Sequence, residues 1–185
     1  AGVDIPASVT TIGDYAFTAN KLTSITIPDG ITAIAQSVFW LNQLTSVTIP
    51  NSVTYIGKNA FLENSLENIT IPDSVTTIDA DAFNRNNLTS VKIPGSVRSI
   101  GNSAFGNNSN LASVEIPDNV SIDNCAFYQN SPKIATITIG SNVTLGNNLL
   151  GENNKFRNAY YEDSAGTYNY NIYAYDQDNE DWVKQ

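Results

Sequence analysis

The sequence predicts a β-rich solenoid. Short strands wind into stacked coils of 22 residues, and a β-hairpin caps the C-terminal end. Three columns of recurring residues predict it. Ile-Pro pairs place Pro6, Pro28, Pro50, Pro72, Pro94 and Pro117 at steps of 22, 22, 22, 22 and 23 residues. Phe17, Phe39, Phe61, Phe83, Phe105 and Phe127 recur at 22 throughout, and so do Asn20, Asn42, Asn64, Asn86, Asn108 and Asn130. Self-similarity of several residue types in one phase is the signature of a repeat architecture.

Each coil opens on a strand. In Leu22-Thr23-Ser24-Ile25-Thr26-Ile27-Pro28, Ile25 and Ile27 alternate with polar residues, which gives one buried face and one open face. Proline ends the strand because it has no N–H to continue a ladder. A second extended piece follows, such as residues 53–56. The next slot holds Gly13, Gly57 and Gly101, with Asp79 and Asp123 in register. Both residue types tolerate a left-handed turn, so one is expected there. Ala35 stands outside that pattern. The Ala-Phe-x-x-Asn segment is too short for a stable helix and predicts a single helical or 3₁₀ turn. One coil cannot cover its own flat faces, so it is ordered only between neighbours.

The Asn column has a structural task. Stacked coils set equivalent residues about 4.8 Å apart. An Asn amide carries two donors and an acceptor. It can therefore satisfy backbone groups of its own loop and of the next coil, which the strand ladders miss. Removing one such side chain, as in Asn64→Ala, is expected to cost roughly 1–3 kcal/mol.

The regularity fades toward the C-terminus. Gly140 replaces the proline, and Leu149-Leu150 replace Ala-Phe. Residues 168–175 alternate aromatic and small side chains, residues 176–179 read as a turn, and Asp181-Trp182-Val183 as a returning strand. The expected layout is a solenoid of about seven coils over residues 1–161 and a hairpin cap over 162–185. Residue 1 falls in mid-unit, which suggests the C-terminal part of a longer protein.

The unit Leu-x-x-Ile-x-Ile-Pro-x-x-Ile-x-x-Ile-x-x-x-Val-Phe-x-x-Asn, read from Leu22 to Asn42, resembles the leucine-rich repeat of the Treponema pallidum type, also called BspA-like. Positions 5–130 match closely and 131–161 loosely. Asn fills every slot where that family often has Cys. The resemblance implies a right-handed solenoid with a concave strand face. It also implies a non-enzymatic bacterial surface or secreted protein that binds or adheres to a protein partner, such as a host or matrix protein. A passive stalk for a missing N-terminal region is the alternative, and a glycan-binding module built on the C-terminal Tyr and Trp residues is another.

Composition excludes several chemistries. With 9 Lys and Arg against 18 Asp and Glu, the formal charge of −9 offers no basic footprint for nucleic acid. No His and one Cys leave no zinc set, no Ser-His-Asp triad and no internal disulfide. No apolar run approaches the roughly 20 residues of a membrane helix. No catalytic residue, cofactor or metal is expected. Asp176, Asp178 and Glu180 have the oxygen ligands for calcium but lack the glycine and spacing of a calcium loop. Cys125, without a second thiol or a base, reads as inert.

The open face of the strands is the candidate binding surface. One column reads Ser24, Ser46, Asn68, Ser90, Ser113, Thr136, and the next Thr26, Thr48, Thr70, Lys92, Glu115, Thr138. It is flat, small and hydroxylated, and Lys92 with Glu115 is its only charged spot. Trp40, beside Leu41 and Leu62, is a candidate anchor on the turn edge, since aromatic side chains dominate many interfaces. Burial between coils is the competing reading for it.

Overall fold

The computed structural model describes residues 2–130, 134–150, 171–176 and 181–184, with side chains described through residue 150 and at Lys184. Two ranks of short strands run along the stack. The first holds β1 (Ser24–Thr26), β3 (Ser46–Thr48), β6 (Ser90–Lys92), β8 (Ser113–Ile116) and β10 (Thr136–Ile139). The second holds β2 (Ala33–Ile34), β4 (Tyr55–Ile56), β5 (Thr77–Ile78), β7 (Ser99–Ile100), β9 (Ser121–Ile122) and β11 (Thr144–Leu145). All pairings within these ranks are parallel and in repeat register: Ser24 faces Ser46, and Ile34 faces Ile56. The second rank is one continuous six-stranded sheet.

At the far end, β12 (Asn171–Asp176) pairs antiparallel with β10, and β13 (Asp181–Lys184) pairs antiparallel with β12. These are the two strands of the expected hairpin, laid along the open edge of the first rank. The turn between them, the boundary at residue 161 and the last coil lie outside the described residues.

The first rank is interrupted. β1 and β3 form one sheet, and β6, β8 and β10 belong to another. Residues 67–71, expected to bridge them, form no strand. Glu67-Asn68 stands where the neighbouring coils have Thr-Ser, and both Glu and Asn are poor strand residues. The coil still stacks: Ser65 N donates to Leu44 O at 2.9 Å, and Thr89 N to Glu67 O at 3.1 Å.

The core is a set of files along the stack. The rings of Phe17, Phe39, Phe61, Phe83, Phe105 and Phe127 lie 5.3–5.6 Å apart, with interplanar angles of 8–16°. Such offset stacking adds about 0.5–1.5 kcal/mol per pair beyond burial. Leu44, Leu66, Leu88 and Leu111 form a second file, fully buried, and Val53, Val75 and Val97 a third.

The Ala-Phe segment closes with 3₁₀-type bonds but does not propagate as a helix. In the third coil Ala60 N donates to Gly57 O and Leu62 N to Asn59 O. Asn59 and Glu63 have φ of 58° and 56°, which breaks any helical run. The same two columns are left-handed in each of the first six coils: Tyr15, Ser37, Asn59, Asp81, Ser103 and Cys125, then Ala19, Leu41, Glu63, Arg85, Asn107 and Gln129. Turn segments of adjacent coils also bond each other, Phe39 N to Ala60 O at 3.0 Å for example.

The left-handed turn expected at the Gly/Asp slot is therefore misplaced. Asp79 and Asp123 have no positive φ, and neither do Gly57 and Gly101. Glycine is needed there for close approach. A Cβ at Gly57 would lie 2.7 Å from Ile34 O, and one at Gly101 would lie 2.5 Å from Ala80 N. Along the stack the slot alternates Gly13, Ala35, Gly57, Asp79, Gly101, Asp123 and Gly146. Ala35 thus belongs to the pattern as a residue with a Cβ between two glycines.

Candidate functional site

The strand face is built by the alternation within each short strand. Ile25, Val91, Val114 and Ile137 point inward and are buried, which leaves their neighbours outward. Ser24 and Thr26 lie on β1, Ser46 and Thr48 on β3, Ser90 and Lys92 on β6, Ser113 and Glu115 on β8, and Thr136 and Thr138 on β10. In register, Ser90 faces Ser113 and Ser113 faces Thr136, while Lys92 faces Glu115 and Glu115 faces Thr138. Lys92 Nζ lies 3.2 Å from Glu115 Oε2, with both side chains more than half exposed. Asn68 and Thr70 are exposed too, but they sit in the strandless coil. The face is consequently two registered patches flanking residues 67–71.

Trp40 is half-buried. Its indole Nε1 is buried without a hydrogen-bond partner among the described residues, whereas Leu41 beside it is 47% exposed.

The Asn side chains run behind this edge. Asn64 Oδ1 accepts from Leu44 N at 3.0 Å, and Asn64 Nδ2 donates to Phe39 O at 2.9 Å and Phe61 O at 3.2 Å. Asn42 and Asn86 repeat the pattern. The amides reach their own loop and the preceding coil, not the following one. Asn20, in the first coil, is exposed and donates to Thr18 O at 3.1 Å, so the buried file begins at Asn42. The residue inserted after Asn108 changes one partner: Asn130 Oδ1 accepts from the Asn108 N–H itself, at 2.6 Å, and its Nδ2 donates to Phe105 O.

A second surface feature was not legible from the repeat consensus. On the second rank of strands a cleft of about 420 Å³ opens over Ala33 and Ile34. Tyr55, paired with Ala33 in the sheet, lines it and is 37% exposed. The Tyr55 hydroxyl donates to Asp79 Oδ2 at 2.5 Å, which fixes the ring. That hydrogen bond, with partial burial and the charges of Asp79 and Asp14, pushes the Tyr55 pKa up to about 12. Asp14 Oδ1 accepts from Gln36 N at 3.0 Å, and Gln36 Nε2 donates to the Tyr15 hydroxyl at 2.8 Å. Lys58 and the threonines of the first two coils complete the lining. The available signal was the column Thr11, Ala33, Tyr55, Thr77, Ser99, Ser121, Thr144, in which the smallest residue precedes the largest.

Among the described residues no group of three or more Cys, Asp or Glu could hold a metal ion. Asp176, Asp178 and Glu180 fall outside the described side chains, as do the C-terminal Tyr and Trp. Cys125 is half-buried.

Solved structures similar to this chain are repeat proteins. A leucine-rich repeat protein from Eubacterium ventriosum aligns with a TM-score of 0.59 and 28% identity, over 65% of this chain and 32% of that one. One from Bacteroides ovatus aligns with a TM-score of 0.55 and 26% identity, over 68% of this chain and 42% of that one. The chain thus spans about a third and two fifths of these two proteins. The T. pallidum leucine-rich repeat protein shares the fold, with a TM-score of 0.68 and 20% identity over 89% of this chain and 83% of that one. No match is found among curated proteins. The model of the BspA type leucine rich repeat region matches in 6 copies over residues 1–87 and 33–157, and the chain belongs to that family.

Proposed function

We propose that the strand face is a protein-binding surface of an extracellular or cell-surface protein, and that the chain has no enzymatic activity. One observation carries this reading: hydroxyl side chains of successive coils stand in register within each of the two patches, with the exposed Lys92–Glu115 pair as the charged feature of β6 and β8. A rigid face loses little conformational entropy on docking. An exposed charge pair contributes to orientation and association rate more than to affinity. The partner is a protein, of host or matrix origin in the setting implied by surface repeat proteins.

Binding to immobilised matrix and cell-surface proteins tests it. Lys92→Glu, which sets two carboxylates opposite each other, and Thr48→Lys, in the other patch, are expected to weaken capture at least about tenfold, or about 1.4 kcal/mol. Arg85→Ala, on the turn edge, leaves capture unchanged. A chain that captures nothing, or whose face variants bind as well as the parent, is a passive stalk.

A further inference from the structure

We propose that the cleft over Ala33 binds a neutral saccharide. The site lies on the second rank of strands, so it is independent of the strand-face reading. Its composition selects the ligand class. Its apolar lining is the exposed Ala33 and the half-buried Ile12, with the Tyr55 side chain beside them. The lining mixes both signs of charge, Asp14 and Asp79 against Lys58, and includes Gln36. A cation entering the cleft meets Lys58, and an anion meets two carboxylates. A neutral molecule with hydroxyls on its edge and C–H groups on its face satisfies all of them at once. Sugar rings have that chemistry.

The site is also prearranged. Asp79 holds the Tyr55 hydroxyl, and Asp14 is held by the Gln36 main chain. Each carboxylate retains lone pairs for a ligand hydroxyl, since an ionised carboxylate offers about four acceptor positions. The volume of about 420 Å³ sits at the small end of the range for ligand sites, about 300–1,000 Å³. Affinity in the millimolar range follows for so open a site.

Titration of the ¹⁵N-labelled chain by NMR tests the proposal, using a panel of neutral mono- and disaccharides, with a lysine tripeptide and a carboxylated sugar as charged probes. At least one neutral sugar is expected to give saturable shifts at Ala33, Gln36 and the Tyr55 amide. Ala33→Leu, which fills the cleft from an exposed position, and Tyr55→Ala are each expected to weaken binding at least about tenfold. Thr77→Ala, one coil further along the column, leaves it unchanged. An unchanged amide spectrum away from the cleft shows that each variant is folded. The proposal is overturned by the absence of saturable shifts at these residues with every neutral sugar. It is equally overturned by undiminished binding to Ala33→Leu, or by a charged probe that outcompetes the sugars.

Discussion

Replacing Asn64 by Ala tests the stacking most directly, and the structure sets the size of the effect. Four backbone groups lose a partner, but not equally: Leu62 O, 3.5 Å from Asn64 Nδ2, keeps its 3.0 Å bond from Leu41 N. Phe39 O still accepts from Asn42 Nδ2 at 3.2 Å, and Phe61 O still accepts from Asn86 Nδ2 at 2.9 Å. Leu44 N–H has no such reserve, and Leu44 is fully buried. An orphaned buried donor costs about 1–3 kcal/mol, and the two weakened carbonyl contacts together add about 1 kcal/mol. The expected loss is about 2–4 kcal/mol. Urea unfolding followed by far-UV circular dichroism reads it: at a slope of about 2 kcal/mol per molar, the midpoint falls by about 1–2 M. Asn20→Ala is the internal control. Asn20 is exposed and bonds only within its own turn in the described structure, so its loss stays within about 0.5 kcal/mol. Asn64→Asp keeps the acceptor for Leu44 N–H but sets a buried carboxylate against the Phe39 and Phe61 carbonyls, and at neutral pH it loses at least as much as Ala. Equal midpoint shifts for Asn64→Ala and Asn20→Ala would refute the claim that these amides join each coil to the one before it.

Other positions are equally open to measurement. Leu41 has φ of 56° with an exposed side chain, and a left-handed conformation costs an ordinary L-residue roughly 1–2 kcal/mol. Leu41→Asn, which tolerates that conformation better, is expected to raise the thermal midpoint, and Leu41→Val to lower it. Gly101→Ala drives a methyl group to within 2.5 Å of Ala80 N, so it forces adjacent coils apart and destabilises by about 1–3 kcal/mol in urea unfolding. The raised pKa of Tyr55 gives a pH signature. Its stabilisation is complete below the ordinary tyrosine value of 10.0 and is lost as pH rises toward about 12, because the unfolded chain sheds that proton first. The stability difference between the parent and Tyr55→Phe therefore shrinks or reverses over that alkaline interval, measured by urea unfolding at several pH values.

Periodicity makes the coil legible because every coil solves the same packing problem. Phe39 is recognisable as core since Phe17 and Phe61 stand at the same place, and the rings stack as that implies. The outward positions of β1, β3, β6, β8 and β10 follow from alternation alone. Backbone detail does not follow. A Gly or Asp column can signal either positive φ or tight approach, and Gly57 shows the second. Conversely, the left-handed columns carry Tyr, Cys, Leu and Arg, because inter-coil hydrogen bonds hold that geometry whatever the side chain. The direction of the Asn bonds was equally hidden, since an amide at that position can be drawn toward either neighbour. The break at residues 67–71 follows from Glu67-Asn68, two residues with poor strand propensity that a hydroxyl column averages away.

The same regularity bears on where recognition can reside. A lattice of identical coils presents the same groups every 22 residues, so a ligand shifted by one coil makes the same contacts. Specific binding requires an address, and an address has to be a departure from the repeat. Three stand on the two strand ranks. Lys92 beside Glu115 interrupts a column of hydroxyls, Glu67-Asn68 splits the face into two patches, and Ala33 beside Tyr55 carves a cleft into an otherwise level sheet. None of these departures is needed for stacking, because the core files run past all three: Val91, Leu66 and Ile34 are buried beneath them. On the two proposals, stability and recognition draw on different positions of one coil, so substitutions at Lys92 or Ala33 weaken binding while the unfolding midpoint stays where it is.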